Sequence, residues 1–77
     1  MAKLPVISGK KIIKILSKFG FAILDQQGSH VILLKKENGD KIKVIVPMHK
    51  TLVPGTLISI MKQAKITRED LEKIRRR

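Results

Sequence analysis

No cysteine occurs among the 77 residues, which excludes disulfides, thiolate zinc sites and cysteine nucleophiles. Two histidines, His30 and His49, are too few for a structural zinc site without carboxylate help, and the acidic residues show no ligand spacing. No metal is expected. The glycines at 9, 20, 28, 39 and 55 are too scattered to cradle a phosphate, so no nucleotide cofactor is implied. No apolar run approaches the roughly 18 residues of a membrane span. The opening "MAKLPVISGKK" lacks the apolar stretch of a signal peptide. These absences predict a cytoplasmic protein with no membrane segment.

Acidic residues are also scarce. Six Asp and Glu face seventeen Lys and Arg, a formal net charge of +11. A surplus this large on so short a chain points to a polyanionic partner, most economically nucleic acid. The blander reading is a soluble basic surface, since thermally stable proteins also use many lysines. With 43% hydrophobic and 30% charged residues the composition is that of a folded chain. Its length predicts one domain, residues 1–77, with one thin core.

From Ser8, "SGKKIIKILSKFG" places Ile12, Ile15, Leu16 and Phe19 on one face and Lys10, Lys14 and Lys18 on the other. That 3.6-residue period predicts an amphipathic helix, capped by Ser8 and ended by Gly20 in the left-handed conformation. The runs "FAILD", "VILLKK" and "KIKVIV" read as strands, and Asn38-Gly39 between the last two suits a tight hairpin. In the third run Ile42, Val44 and Val46 alternate with Lys41, Lys43 and Ile45, giving a buried face and a mostly basic one. Pro47, without an amide hydrogen, ends that strand.

"MHKTLVPG" reads as a loop punctuated by Pro54 and Gly55, with "PGTL" opening a second helix in which Leu57, Ile60, Met61 and Ala64 recur at helical spacing. Thr67 and Asp70 resemble a capping box, with Ile66 and Leu71 at the staple positions of a short last helix through "REDLEKI". The tail Arg75-Arg76-Arg77 is expected to fray. The order α-β-β-β-α with a short C-terminal helix predicts an α+β two-layer sandwich of the double-stranded-RNA-binding-domain type.

Sheets that read single-stranded RNA by stacking need exposed aromatics, and Phe19 and Phe21 are the only aromatic residues besides histidine. The KH pattern of two glycines flanking a basic dipeptide is missing as well. What remains is His30 in "QQGSHVILLKK" and His49 in "VPMHK", each among lysines. An unperturbed histidine titrates near pH 6.5, so it can take or give a proton around neutrality. RNA supplies its own nucleophile, the 2′-hydroxyl, so its cleavage needs a base, an acid and cations to hold the phosphate. The bland reading of His30 is a strand-end residue hydrogen-bonded to the Gly28-Ser29 turn; that of His49 is a solvated loop residue. Ser29 as a nucleophile is weaker, since no Asp or Glu is placed to complete a triad with His30.

Against that background, "LPVISGKKIIKILSKFGF", "QQGSHVIL", "VPMHK" and "PGTLISIMKQAKITREDLEKI" resemble the HicA-type toxins, the small ribonuclease half of HicA-HicB toxin-antitoxin pairs. The most specific pieces are "GSH" before the second strand, "VPMH" after the third and "PGTL" opening helix two. The resemblance implies the double-stranded-RNA-binding fold, cleavage of mRNA, catalysis by His30, and inhibition by a HicB-type antitoxin that covers the active site. Two features depart from the pattern of the family it resembles: Asp25, Gln26 and Gln27 stand where its members often carry basic residues, and Lys65 stands where they commonly have glycine between the last two helices.

The resulting expectation is a metal-independent endoribonuclease with His30 as general base or acid. Ser29 and His49 are candidates to support catalysis, with water or a lysine as further options for the second proton transfer. Lys35, Lys36, Lys41 and Lys43 on the hairpin are the first candidates for phosphate contacts, and Lys10, Lys14 and Lys18 the second. The alternative is a non-catalytic basic RNA-binding module using the same surface, which would bind without cutting. The apolar run Val31–Leu34 also suggests a face for a protein partner, unless the loop at 47–55 covers it.

Overall fold

The computed structural model describes residues 5–75, without the Arg75 side chain. Along the chain run α1 (Gly9–Lys18), β1 (Ala22–Gln27), β2 (His30–Glu37), β3 (Asp40–Pro47), α2 (Pro54–Ala64) and α3 (Arg68–Arg75). The expected α+β order is present. The three strands form one antiparallel sheet in the order β1-β2-β3.

Local chemistry sets the boundaries. The Ser8 hydroxyl accepts the Lys11 amide at 3.0 Å and starts α1; Phe19 closes it, and Gly20 turns the chain with φ +97°. Asn38 and Gly39 both have positive φ, 51° and 82°, the conformation that a two-residue hairpin turn with the twist of the sheet requires. Pro54 and Gly55, read above as loop punctuation, form the first turn of α2; proline suits that position because its missing amide has no partner there anyway. The reciprocal capping bonds at α3 are both made, Thr67 amide to Asp70 carboxylate at 2.9 Å and Asp70 amide to Thr67 hydroxyl at 3.1 Å. Ile66 and Leu71 are buried beside them. Of the basic tail, Arg76 and Arg77 lie outside the described residues.

β1 starts one residue later than "FAILD" and runs on through Gln26 and Gln27. Those glutamines carry no apolar alternation, but their backbones pair with Val31 and His30, so the ladder continues. The register slips between Ile23 and Asp25, leaving Leu24 in a bulge.

The core is built from one face of the sheet. Val31, Leu33, Ile42, Val44 and Val46 point into it and meet Ile12, Ile15 and Leu16 of α1 and Leu57, Ile60 and Met61 of α2. Burying such side chains is worth roughly 1.5–3 kcal/mol each, so the positions that alternate inward on β2 and β3 decide the register. The other face carries His30, Ile32, Leu34 and Lys36 of β2 and Lys41, Lys43, Ile45 and Pro47 of β3, because residues opposite each other in the ladder share a face. The loop after β3 does not cover it: Leu52 turns into the core, its amide bonded to the Ile7 carbonyl at 2.8 Å. The edge of β3 is held by α2, where the Gln63 side-chain oxygen accepts the Ile45 amide at 3.2 Å.

Candidate functional site

The Gly28-Ser29 turn joins β1 to β2 and delivers His30 as the first residue of β2, paired with Gln27 on one side and Pro47 on the other. Gly28 takes φ +59°, which lets the turn close in two residues. His30 is exposed, and among the described residues its ring makes no hydrogen bond. The turn is held without it: the Ser29 carbonyl accepts the Met48 amide at 2.6 Å, and the Gly28 carbonyl accepts the Gln26 side-chain amide at 3.3 Å. Of the two readings of His30, the one in which the ring serves the turn finds no support.

Asp25 lies on the same open face, two ladder positions in from the Gln27-His30 pair. Its carboxylate is taken up locally by the Gln26 amide at 2.8 Å and the Gln27 side chain at 3.5 Å. The acid at this position is thus committed to bracing β1.

The second histidine is brought to the same end of the molecule. β3 runs out at Pro47 opposite His30, and the chain passes through Met48 to His49, whose carbonyl accepts the Gly9 amide at 2.9 Å. Gly9 has no room for a side chain, because a Cβ there would be driven into the Pro47 carbonyl oxygen. The β1-β2 turn, the loop after β3 and the start of α1 are therefore stapled together, with Ser29, His30 and His49 among them. A cleft of about 310 Å³ opens in this region, lined by Ser8, Lys10, Met48, His49 and Lys50. Lys50 was not among the residues singled out from the sequence; its only signal there was its place at the end of "VPMHK".

The hairpin lysines divide. Lys36, Lys41 and Lys43 stand on the open face with His30, all exposed. Lys36 is six residues along β2 from His30, about 20 Å at the usual rise of an antiparallel strand, and so lies at the far end of the face. Lys35 alternates to the opposite side, its ammonium 3.4 Å from the Glu37 carboxylate and 5.8 Å from the Phe21 ring centre. Lys14 and Lys18 are exposed on α1, farther along that helix than Lys10.

Among the described residues, no three His, Asp or Glu side chains are grouped to hold a metal ion, and no helix is long and apolar enough to cross a membrane. No curated protein matches the chain. The family model described as "HicA toxin of bacterial toxin-antitoxin" matches residues 9–66, from the first residue of α1 to the start of the α2-α3 connection. That span takes in the Gly-Ser-His turn, the whole sheet and the loop of His49. The chain belongs to the HicA toxin family and is the toxin of a toxin-antitoxin pair, with an antitoxin as its counterpart.

Proposed function

We propose that this toxin is an endoribonuclease that cuts mRNA in the cytoplasm with His30 as its proton-transfer residue. The observation that carries the reading is the placement of His30. It is exposed at the end of a basic sheet face and its ring has no structural partner among the described residues, as a group that must meet substrate requires. As base, the imidazole takes the 2′-hydroxyl proton, the 2′-oxygen attacks the adjacent phosphorus, and the 5′-oxygen of the next nucleotide leaves with a proton. His49 at the same end is the nearest second histidine for that last transfer, with water or a lysine as the other donors. Ser29 serves through its backbone, which holds the loop of Met48 to the turn.

This chemistry needs no metal, because nucleophile and leaving group both belong to the RNA. Lys36, Lys41 and Lys43 supply phosphate contacts along the open face, which position RNA without reading its sequence. A HicB-type antitoxin neutralises the toxin by covering His30.

The test is cleavage of a defined mRNA in excess EDTA by wild type and by His30→Ala. Cutting by the wild type alone is the expected result. RNA binding with no cutting by either protein would instead mark a non-catalytic double-stranded-RNA-binding module, and cutting by both would remove His30 from the chemistry.

A further inference from the structure

The open face explains how RNA is held along the sheet, but its lysines are far from His30. The nearest of the three along the ladder is Lys43, which pairs with Leu34, four residues from His30, or about 13 Å. Cations for the phosphates around the scissile bond must come from elsewhere. The cleft at the His30 end meets that need. Its lining contains two lysines, Lys10 from α1 and Lys50 from the loop after β3, with the His49 ring between them in the chain, and no acidic residue. Every other lining side chain is neutral, so the cleft favours an anion.

At about 310 Å³ the open cleft stands at the lower limit of pockets that hold small molecules, roughly 300 Å³, which leaves room for one nucleotide. Met48, 38% exposed, gives the cleft an apolar wall for a sugar or base. The hydroxyl of Ser8 accepts the Lys11 amide and keeps its own proton to donate, so the charged contacts to a ligand fall to Lys10 and Lys50, with His49 and Ser8 as further polar groups.

The cleft also has a fixed relation to His30. Met48, two residues before Lys50, is bonded to Ser29 at 2.6 Å, and His49 is bonded to Gly9, next to Lys10, at 2.9 Å. Two short backbone bonds thus tie both lysines to the turn that carries the histidine. We propose that the Lys10-His49-Lys50 cleft is a phosphate subsite that seats one nucleotide of single-stranded RNA beside the bond His30 attacks. The proposal rests on the ribonuclease reading. It makes the substrate strand bend off the sheet end into the cleft and not run only along the lysine face.

The experiment uses a fluorescent single-stranded RNA of about ten nucleotides and the full-length protein. Affinity is read on the His30→Ala background, where RNA is not consumed, and cleavage on the wild-type background. Lys10→Gln with Lys50→Gln is expected to weaken binding on the order of tenfold and to flatten the plot of log affinity against log salt by about 0.7, one single-strand phosphate contact. Cleavage should fall with it. Lys62→Gln with Lys65→Gln removes the same charge at the far end of α2 and is the control for bulk electrostatics. Equal losses from both pairs, or unchanged binding in the Lys10-Lys50 pair, would overturn the subsite. Absence of cleavage by the wild type would instead overturn the ribonuclease reading, with the cleft still judged by binding. All four lysines are exposed, and matching thermal melts confirm that each variant is folded.

Discussion

Lys36 and Lys41 stand directly opposite each other across the β2-β3 ladder, both exposed on the open face. Like charges at such a position are destabilising, by a few tenths of a kcal/mol up to about 1 kcal/mol. Glu37, the nearest acid on β2, is turned to Lys35 on the other side. On the ribonuclease reading proposed above, the pair is one half of a contact whose other half is the RNA phosphate backbone.

Replacing Lys36 with Gln should therefore move two quantities in opposite directions. The melting temperature should rise slightly, while RNA affinity should fall and its salt dependence drop by about 0.7. A melt and a salt titration on one protein check both. Affinity that is unchanged would remove the hairpin from the RNA surface.

Gly9 bears on the geometry of the His30 end. Gly9→Ala puts a methyl group against the Pro47 carbonyl, with Met48 Cα 3.1 Å away. All these neighbours are backbone, so relief requires the loop and α1 to part. Overpacking of this kind costs about 1–3 kcal/mol, which in a chain of this length lowers the melting temperature by roughly 4–8 °C per kcal/mol. RNA cleavage should fall further than stability alone explains, and activity measured well below the melting temperature separates the two.

Lys65 closes α2 in the left-handed conformation, which favours glycine, with φ 59°. A side chain there costs about 1–2 kcal/mol, partly offset because glycine loses more chain entropy on folding. Lys65→Gly should stabilise the protein by about 0.5–1 kcal/mol in a denaturant titration. A loss of stability would show that the lysine side chain makes a compensating interaction.

Asp70 sets the response of α3 to acid. Its carboxyl is held below the ordinary carboxylate value chiefly by the Thr67 amide, with the Thr67 hydroxyl and then Lys73 adding to the effect. A lowered folded pKa means that ionised Asp70 favours the folded state, fully so above the unfolded value near about 3.9. The contribution is lost as pH falls through the folded value. Wild type should melt above Asp70→Asn at neutral pH, and the gap should close below about pH 4. A gap that persists in acid would assign the difference to the hydrogen-bond geometry and not to the charge.

Much of this was legible from local pattern. Periodicities of 3.6 and 2 placed the helices and strands, Asn38-Gly39 marked the hairpin, and Thr67 with Asp70 marked the last helix, because each signal acts within a few residues. The Gly-Ser-His stretch singles out His30 through the family resemblance it carries. Beyond that reach the sequence was silent. Alternation cannot say which face of β2 meets the helices when Val31, Ile32, Leu33 and Leu34 are all apolar, and that choice put Lys35 on one side and Lys36 on the other. Nor does any local rule bring Lys50 to Lys10, forty residues away. That meeting depends on the Ser29-Met48 and Gly9-His49 backbone bonds, which exist only once the sheet and α1 have packed. Residue identity determined which chemistry this protein can carry; tertiary packing decided which of those residues share a site, since proximity between distant segments is a property of the folded chain alone.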